Sequence, residues 1–402
     1  MKTIYYFTPI LNFFIAALFG LLLRALFVFP INGVTYLYLL HTHSHIALLG
    51  WLYLLVYVLF VQVFSIKNEK EEKFYTRLFW TTQLAVVGMM VTFPFQGYAA
   101  PSIAFSTLHI LCSYAFVYRL WKNNTTKTNQ EKILLKTSLF FMLFSTIGVW
   151  CLGPAVGMMG KASAFYQICI QFFLHFQFDG WFMTAFLALL FSFLFKEREI
   201  KLFKMFYWTW CTSVVLTYSL PLSWYVEYSF LHIINTIGVI IQLVAFGLLV
   251  KPCLDYWKDS NKQKKRPLQF LLLLAGVCFL LRIVVQFSAV YEGLAESLKG
   301  LRSWIVAFIH LNMLGILTGF GLWLLVQSKR LKVNILSKVG SYLLVIAFLG
   351  TESILFLQGY QGLVATVFID NTMSLMFWIS VLFPISIGCL LLSFILKNKN
   401  YE

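Results

Sequence analysis

The chain has 402 residues, of which 60% are hydrophobic and only 11% are charged, and its mean hydropathy is +0.81. A soluble domain needs more polar residues than this to cover its surface. The composition therefore excludes a soluble domain and indicates a polytopic membrane protein. The formal net charge of +16 also occurs in nucleic-acid-binding proteins, but the positions of the basic residues exclude that class. The seven cysteines are scattered without a C-x-x-C pair, which indicates core residues and not a disulfide framework.

Apolar runs long enough to cross roughly 30 Å of hydrocarbon recur along the whole chain. They predict an all-α fold, a bundle of twelve transmembrane helices in one integral membrane domain over residues 1–402. These predicted helices are numbered as spans 1 to 12. Their ranges are 8–29, 38–65, 77–98, 102–121, 137–158, 163–195, 203–225, 229–250, 270–291, 303–327, 335–358 and 372–396.

Most of the basic residues follow the even-numbered spans. The loop after span 8, for example, contains Lys251, Lys258, Lys262, Lys264, Lys265 and Arg266. Because the cytoplasmic loops of membrane proteins carry the excess of Lys and Arg, this distribution predicts that both termini are cytoplasmic. We expect a multi-pass protein of the bacterial inner (cytoplasmic) membrane, in contact with the lipid bilayer.

One histidine motif occurs three times. His45 is followed five residues later by Gly50, His175 is followed by Gly180 at the same spacing, and His310 is followed by a glycine likewise. The histidines lie 130 and 135 residues apart, close to one third of the chain. The spacing predicts three four-helix repeats, approximately 1–136, 137–268 and 269–402. The glycines leave room for the edge of a ligand or allow close helix packing, which is their commoner role in membranes.

The histidines are concentrated in the even-numbered spans, in the half predicted to face outward. They are His41, His43, His45, His109, His175, His232 and His310. Histidine is costly in a bilayer, and its neutral ring binds iron, copper and zinc. No cluster of carboxylates or cysteines accompanies them, which argues against a structural zinc site or a hard-cation site. A planar ligand held from two helices fits best, and haem is the common case; histidines that only form hydrogen bonds in the bundle are the alternative.

The sequence from His43 and His45 through Leu49-Gly50-Trp51 resembles the tenth-helix haem motif of the haem–copper oxidase catalytic subunit. The resemblance is closest to the cbb-type oxidases and nitric oxide reductase. Twelve helices, a cytoplasmic N-terminus and pseudo-threefold repetition are also features of that subunit. The chain is similar as well to the smaller NnrS-type membrane proteins, which are linked to haem, copper and nitric oxide stress.

The resemblance implies a low-spin haem b between spans 2 and 10, with His45 and His310 as axial ligands and His43 beside them. His175 matches the position of the first copper ligand. The chain also departs from the pattern, because span 7 has no histidine and Phe308 stands where a high-spin haem ligand is expected. We therefore expect no standard copper site. A different second site, for copper or a second haem, has as its candidates His41, His43, His109 and His232.

Haem propionates bind cations, and three basic residues fall on the predicted outer side of the membrane. They are Lys161, Lys299 and Arg302, which are either propionate partners or interfacial cations. Among the polar residues inside spans, Arg282 and Glu352 are expected to pair or to mark a proton route. Asp179 lies four residues after His175, on the same helix face, where it could orient a ligand or bond within the bundle.

The function implied by the resemblance is respiratory electron transfer or the handling of nitric oxide or oxygen. The implied partners are an electron donor protein or quinol and the gas itself. A haem with two histidine ligands carries electrons and a five-coordinate haem binds a gas, so an oxidoreductase activity stays open. The alternative is a histidine-lined transporter of copper, zinc or a related small solute. Motifs for nucleotide or hydrolytic chemistry are missing from the sequence.

Overall fold

A computed structural model describes residues 2–195, 198–261 and 267–395 of the chain. Lys262, Lys264, Lys265 and Arg266, which belong to the predicted basic loop after span 8, lie outside these residues. The structure is 83% helical, and the described residues contain no β-strand. The extended chain contributes one isolated antiparallel bridge, between Ser65 and Asn124.

Most helices overlap the predicted spans within a few residues, but α3 and α5 begin eight residues before theirs and α9 ends eleven residues after its span. They are α1 (Ile4–Ala25), α2 (Tyr36–Phe64), α3 (Glu69–Gln96), α4 (Ala100–Lys122), α5 (Asn129–Met159), α6 (Ala164–Phe195), α7 (Phe203–Leu216), α8 (Ser219–Ser223), α9 (Phe230–Asn261), α10 (Phe270–Ser288), α11 (Glu292–Gly300), α12 (Arg302–Gln327), α13 (Ile335–Val364) and α14 (Thr372–Ile395). Within the described residues, eleven helices are long and apolar enough to cross a membrane.

The predicted seventh span differs from the others. Its residues form α7, which has 14 residues, and the short α8, with a break at Thr217 and Tyr218. Pro221 lies in α8 and has no N–H to donate to the Thr217 carbonyl, so it interrupts the helix there. At 1.5 Å per residue α7 is about 21 Å long, which is less than the hydrocarbon thickness of a bilayer.

Polar side chains cap several helices where they begin. The Asn68 side chain accepts a hydrogen bond from the backbone N–H of Glu71 at the start of α3, at 2.8 Å. Thr128 caps α5 in the same way, through the N–H of Glu131 at 3.2 Å. Such caps satisfy backbone donors that have no partner inside the helix, so they fix where each helix starts.

Three of the membrane helices contain a π-helical segment of seven or eight residues. The segments are Ile46–Tyr53 in α2, Phe176–Phe182 in α6 and Leu311–Thr318 in α12. In each helix the α-helical part before the segment ends at a histidine, namely His45, His175 or His310. A shorter fourth segment, Phe191–Phe195, ends α6 and follows no histidine. π-helical turns are rare and are frequently found at functional sites, so the three histidine motifs share an unusual backbone.

The described chain divides into two compact units. Unit 1 comprises Met1–Thr125, Pro267–Leu272 and Thr318–Glu402. Its interior contains Trp51, which stacks on Phe13 at 4.7 Å and donates a hydrogen bond to the Thr318 hydroxyl at 2.9 Å. The Asn12 side chain joins α1 to α2 and α3, because its amide donates to the Gly50 carbonyl at 2.9 Å and to Gln83 at 2.8 Å.

Unit 2 comprises Thr126–Arg266 and Leu273–Leu317. Within it α5 and α6 are joined by a hydrogen bond from the Ser145 hydroxyl to the Gln177 side chain, at 2.7 Å. A second bond joins α7 to α6, from the Trp210 indole to the Thr184 hydroxyl at 3.0 Å. These polar contacts are fully buried and satisfied, so they fix how the helices of this unit align.

The outward-facing helix surfaces carry large apolar side chains. On α3, for example, Leu84, Val91 and Phe95 are all exposed, and 82% of Phe95 is accessible. Such a surface is unfavourable in water and favourable in hydrocarbon. The apolar helices and their apolar surfaces define a helical, multi-pass membrane protein in contact with lipid.

Candidate functional site

The ring of His45 is held by its own helix. Its Nδ1 lies 2.8 Å from the backbone carbonyl of His41, one turn earlier in α2. Since a carbonyl only accepts, Nδ1 carries the proton and Nε2 keeps its lone pair. This arrangement is typical of histidines that bind metals, in which an acceptor bonded to the other ring nitrogen fixes the tautomer and the ring orientation.

Two aromatic residues of the α3–α4 region surround the His45 ring. Phe93 lies at 4.5 Å between ring centroids, and the Tyr98 hydroxyl lies 3.3 Å from Nε2 of His45. Tyr98 follows Gly97, whose positive φ of 58° turns the chain between the two helices. A Cβ at Gly97 would meet the ring of Tyr38 at 2.5 Å, so only glycine fits this turn. The sequence analysis did not identify Tyr98, although the glycine before it was a signal for a tight turn.

The other two histidines of α2 have different surroundings. The Tyr98 ring also covers His41, at 4.6 Å between centroids. His43 instead contacts α1, because its Nδ1 lies 2.8 Å from the Ala16 carbonyl and its ring lies against Gly20. His41 and His45, which are four residues apart, therefore share one side of α2, while His43 faces α1, as the helical repeat requires.

His109 lies in α4, and only 3% of it is exposed. The Tyr53 ring contacts it edge-on at 4.6 Å. His109 and His45 both lie in unit 1. Nε2 of His109 has no protein partner among the described residues, and Nε2 of His45 faces only the Tyr98 hydroxyl.

His175 belongs to a buried polar cluster in unit 2. Its Nε2 lies 2.7 Å from the Val214 carbonyl, and its Nδ1 lies 3.3 Å from a carboxylate oxygen of Asp179. Asp179 in turn forms an ion pair with Arg282 of α10, at 2.7 Å from Oδ1 to Nη2. The expected proximity of Asp179 to His175 is confirmed. Arg282 and Glu352 were expected to pair or to mark a proton route, and the ion pair that Arg282 forms is with Asp179.

The arrangement around His175 differs from that around His45. Both ring nitrogens of His175 face protein oxygens, so a metal would have to displace one of these contacts. Arg282 is completely buried, between the rings of Phe279 and Phe308 at 5.9 Å each, and its Nε and Nη1 have no hydrogen-bond partner among the described residues. The cluster of His175, Asp179 and Arg282 therefore resembles a buried structural ion pair more than a metal site.

The remaining predicted histidines are His232 and His310. His232 is the third residue of α9, and His310 ends the first α-helical part of α12. Both side chains are half-buried. Their roles as ligands stay predictions from the sequence.

The three cations that were predicted to lie on the outer side differ in their contacts. The Lys299 ammonium donates a hydrogen bond to the Trp224 carbonyl and lies 5.2 Å from the centre of the Tyr225 ring. Lys161 lies exposed in the turn between α5 and α6, and Arg302 is exposed at the start of α12. Lys299 therefore has a structural contact of its own, and the propionate role of all three stays a prediction.

Two of the motif glycines serve close packing. A Cβ at Gly50 would lie 3.0 Å from a methyl carbon of Val86 and 3.1 Å from the Asn12 side chain. A Cβ at Gly180 would lie 2.8 Å from the ring of Phe141. These glycines could leave room for a ligand edge or allow close helix packing, and the structure supports close helix packing.

Within the part of the chain that the structure describes, no three or more His, Cys, Asp or Glu side chains come close enough together to hold a metal ion. A haem needs fewer protein ligands, and the donor at His45 fits one. The class that fold and site define is a helical multi-pass membrane protein with intramembrane histidines. No protein-family model matches the chain, and no curated protein matches it.

Proposed function

We propose that the protein binds haem b within the membrane, with His45 as an axial ligand. One observation carries the proposal, namely the contact between Nδ1 of His45 and the His41 carbonyl at 2.8 Å. This contact leaves the lone pair of Nε2 to bind a metal and fixes the orientation of the ring. A haem iron requires a histidine nitrogen in this form. The relatives that we propose are the haem–copper oxidase catalytic subunit and the NnrS-type proteins, on the basis of the motif at 43–51.

Tyr98 controls access to this donor. Its hydroxyl lies 3.3 Å from Nε2 of His45, and it occupies the side of the ring on which an iron would bind. Tyr98 is 47% exposed, so its side chain has room to turn away. We infer that haem binding replaces the Tyr98 hydroxyl at Nε2 and that the aromatic side chains of Phe93 and Tyr98 then contact the macrocycle.

The π-helical segments support the proposed repeat organisation. Each of the three motif histidines is followed at once by such a segment, although nothing in local propensity demands it. A shared backbone irregularity at equal spacing is expected if three copies of one four-helix unit make up the chain. The proposal includes twelve membrane helices, with α7 and α8 as the seventh, and cytoplasmic termini in a bacterial inner membrane.

His310 as the second axial ligand remains a prediction from its motif. Bound haem supplies reversible electron transfer when two histidines hold its iron, and it supplies a gas-binding position when only one does. The physiological setting that we propose is respiratory electron transfer or the handling of nitric oxide or oxygen. A donor protein or a quinol would provide electrons. Copper or a second haem at the remaining histidines stays a prediction as well.

The test compares haem content in variants of the purified protein. His45→Ala removes the donor nitrogen, so we expect it to lose haem when the protein is reconstituted and passed over a sizing column. Thr351→Val is the control, because the Thr351 hydroxyl bonds backbone carbonyls of its own helix, α13, and its loss is expected to leave haem content unchanged. Full haem content in folded His45→Ala would contradict the assignment of this ligand.

The same variants separate haem binding from the alternative function in transport. A transporter of copper or zinc needs no chromophore, and its flux would fall in stages as histidines are removed. Uptake of radioactive copper or zinc into proteoliposomes measures this directly. Metal flux by a protein that binds no haem would support the transporter.

A further inference from the structure

The charged end of α3 and α4 forms a groove in unit 1. Its volume is about 730 Å³, and it is lined by basic side chains from both helices together with Phe74 and Leu78. We call it the basic groove. Its basic residues are Lys70, Lys73, Arg77 and Arg119.

Two of these cations already have carboxylate partners. Lys73 pairs with Glu69 one turn away, at 2.5 Å, and both side chains are largely exposed, so water screens this pair. Arg119 binds the buried Glu71 through two nitrogens, at 3.0 and 2.6 Å, which anchors α4 to α3.

The other two cations are uncompensated. Lys70 and Arg77 form no ion pair with any residue in the described ranges, and both are exposed. The groove therefore has a surplus of positive charge and room for a group that carries negative charge.

The groove lies next to features of a membrane interface. Trp80, three residues after Arg77 in α3, and Trp121, two residues after Arg119 in α4, are both exposed, and tryptophan is enriched at the level of the lipid headgroups. Beyond the groove the same side of α3 continues with Leu84, Val87 and Val91, which are exposed and apolar. The cationic groove is therefore followed along the same helix by an apolar strip, whose residues recur every three or four positions.

We propose that the basic groove binds the headgroup of an anionic phospholipid whose acyl chains lie along the apolar strip of α3. The phosphate and the anionic headgroup contact Lys70 and Arg77, with Lys73 available because its own ion pair is weak. Phe74 and Leu78 contact the glycerol and the first methylenes. A free phosphate ion satisfies the cations alone, whereas a lipid satisfies both the cations and the strip. This proposal is independent of haem.

The test measures lipid binding to the delipidated full-length protein by native mass spectrometry. Phosphatidylglycerol and phosphatidylcholine are titrated separately, and inorganic phosphate is added as a competitor. Two basic groups near a lipid headgroup affect its affinity by roughly 30-fold, so Lys70→Gln with Arg77→Gln should weaken phosphatidylglycerol binding by about that factor. Lys122→Gln with Lys132→Gln removes the same charge outside the groove and should change the affinity by less than about two-fold.

Phosphatidylcholine binding should be equal in all variants. If the double variant fails to fold, Lys70→Gln alone changes an exposed side chain in the first turn of α3 and should weaken phosphatidylglycerol binding about five-fold. If the control variant loses as much phosphatidylglycerol affinity as the groove variant, the loss comes from the change in net charge and the proposal is overturned. Displacement of the lipid by millimolar phosphate would overturn it in favour of a free-anion site.

Discussion

Asp179 and Arg282 form an ion pair in the interior of unit 2, with Oδ1 and Nη2 2.7 Å apart. Arg282 is completely buried, and Asp179 is 6% exposed. An unpaired charge is very costly at such a position, so each residue stabilises the other. The His175 ring touches the same carboxylate at 3.3 Å, which extends the cluster to a third residue.

We expect Asp179→Asn to destabilise the protein strongly. The variant leaves the Arg282 charge buried without a partner, which typically costs about 3–5 kcal/mol. Thermal unfolding in detergent measures the loss. The double variant Asp179→Asn with Arg282→Met removes both charges and should recover most of the stability. A single variant as stable as the wild type would mean that the ion pair contributes nothing.

His175 should be needed for stability more than for haem. Both of its ring nitrogens face protein oxygens, Val214 O and Asp179 Oδ2. His175→Ala leaves a buried carbonyl without a donor, so we expect a loss of about 1–3 kcal/mol in the free energy of unfolding. The haem content of the folded fraction should be unchanged. Loss of haem at unchanged stability would instead make His175 a ligand.

Much of this architecture was predictable from the sequence. Apolar runs predicted where the membrane helices lie, because crossing hydrocarbon requires length and hydrophobicity, and both are local properties. They missed the polar ends, since α3 and α5 begin eight residues before the predicted spans. The contact of Asp179 with His175 followed from helix geometry, since residues four apart share a face. The opposite faces of His43 and His45 followed from the same rule.

Other features depend on contacts that are distant in the sequence. Arg282 lies far from Asp179 along the chain, and no periodicity links α10 to α6. The Tyr98 hydroxyl reaches His45 only because Gly97 permits one particular turn. The π-helical segments have the same hydropathy pattern as α-helices, so the sequence did not reveal them. Pro221 was the local signal that α7 is short. Hydropathy alone did not show the break, because the residues on both sides of it are mainly apolar.

Gly50→Ala should destabilise the protein through overpacking. The added methyl group would lie 3.0 Å from a Val86 methyl carbon and 3.1 Å from Asn12, which requires the helices to shift. The expected cost is about 1–3 kcal/mol. Gly153→Ala is the matched control, because a Cβ there has no neighbour within 4 Å. It should be neutral or stabilising, by up to about 1 kcal/mol. Equal effects of the two variants would contradict the packing role of Gly50.

Tyr98→Phe should strengthen haem binding. The variant removes the hydroxyl that competes for Nε2 of His45 and keeps the aromatic ring beside the site. A hydrogen bond of about 1 kcal/mol corresponds to roughly five-fold in affinity, measured by haem titration. Tyr5→Phe is the control, because that hydroxyl bonds Thr76 elsewhere in unit 1. Weaker haem binding by Tyr98→Phe would mean that the hydroxyl is itself part of the haem site.

The most direct test of the account is the dithionite-reduced minus oxidised visible spectrum of the purified wild-type protein, recorded with iron analysis. We predict sharp b-type haem bands and iron in stoichiometric amount, either as isolated or after reconstitution with haem. Carbon monoxide or nitric oxide would then shift the bands if one axial position is open and leave them unchanged if two histidines hold the iron. A folded protein that stays colourless after reconstitution would contradict the haem assignment and leave metal transport as the function to pursue.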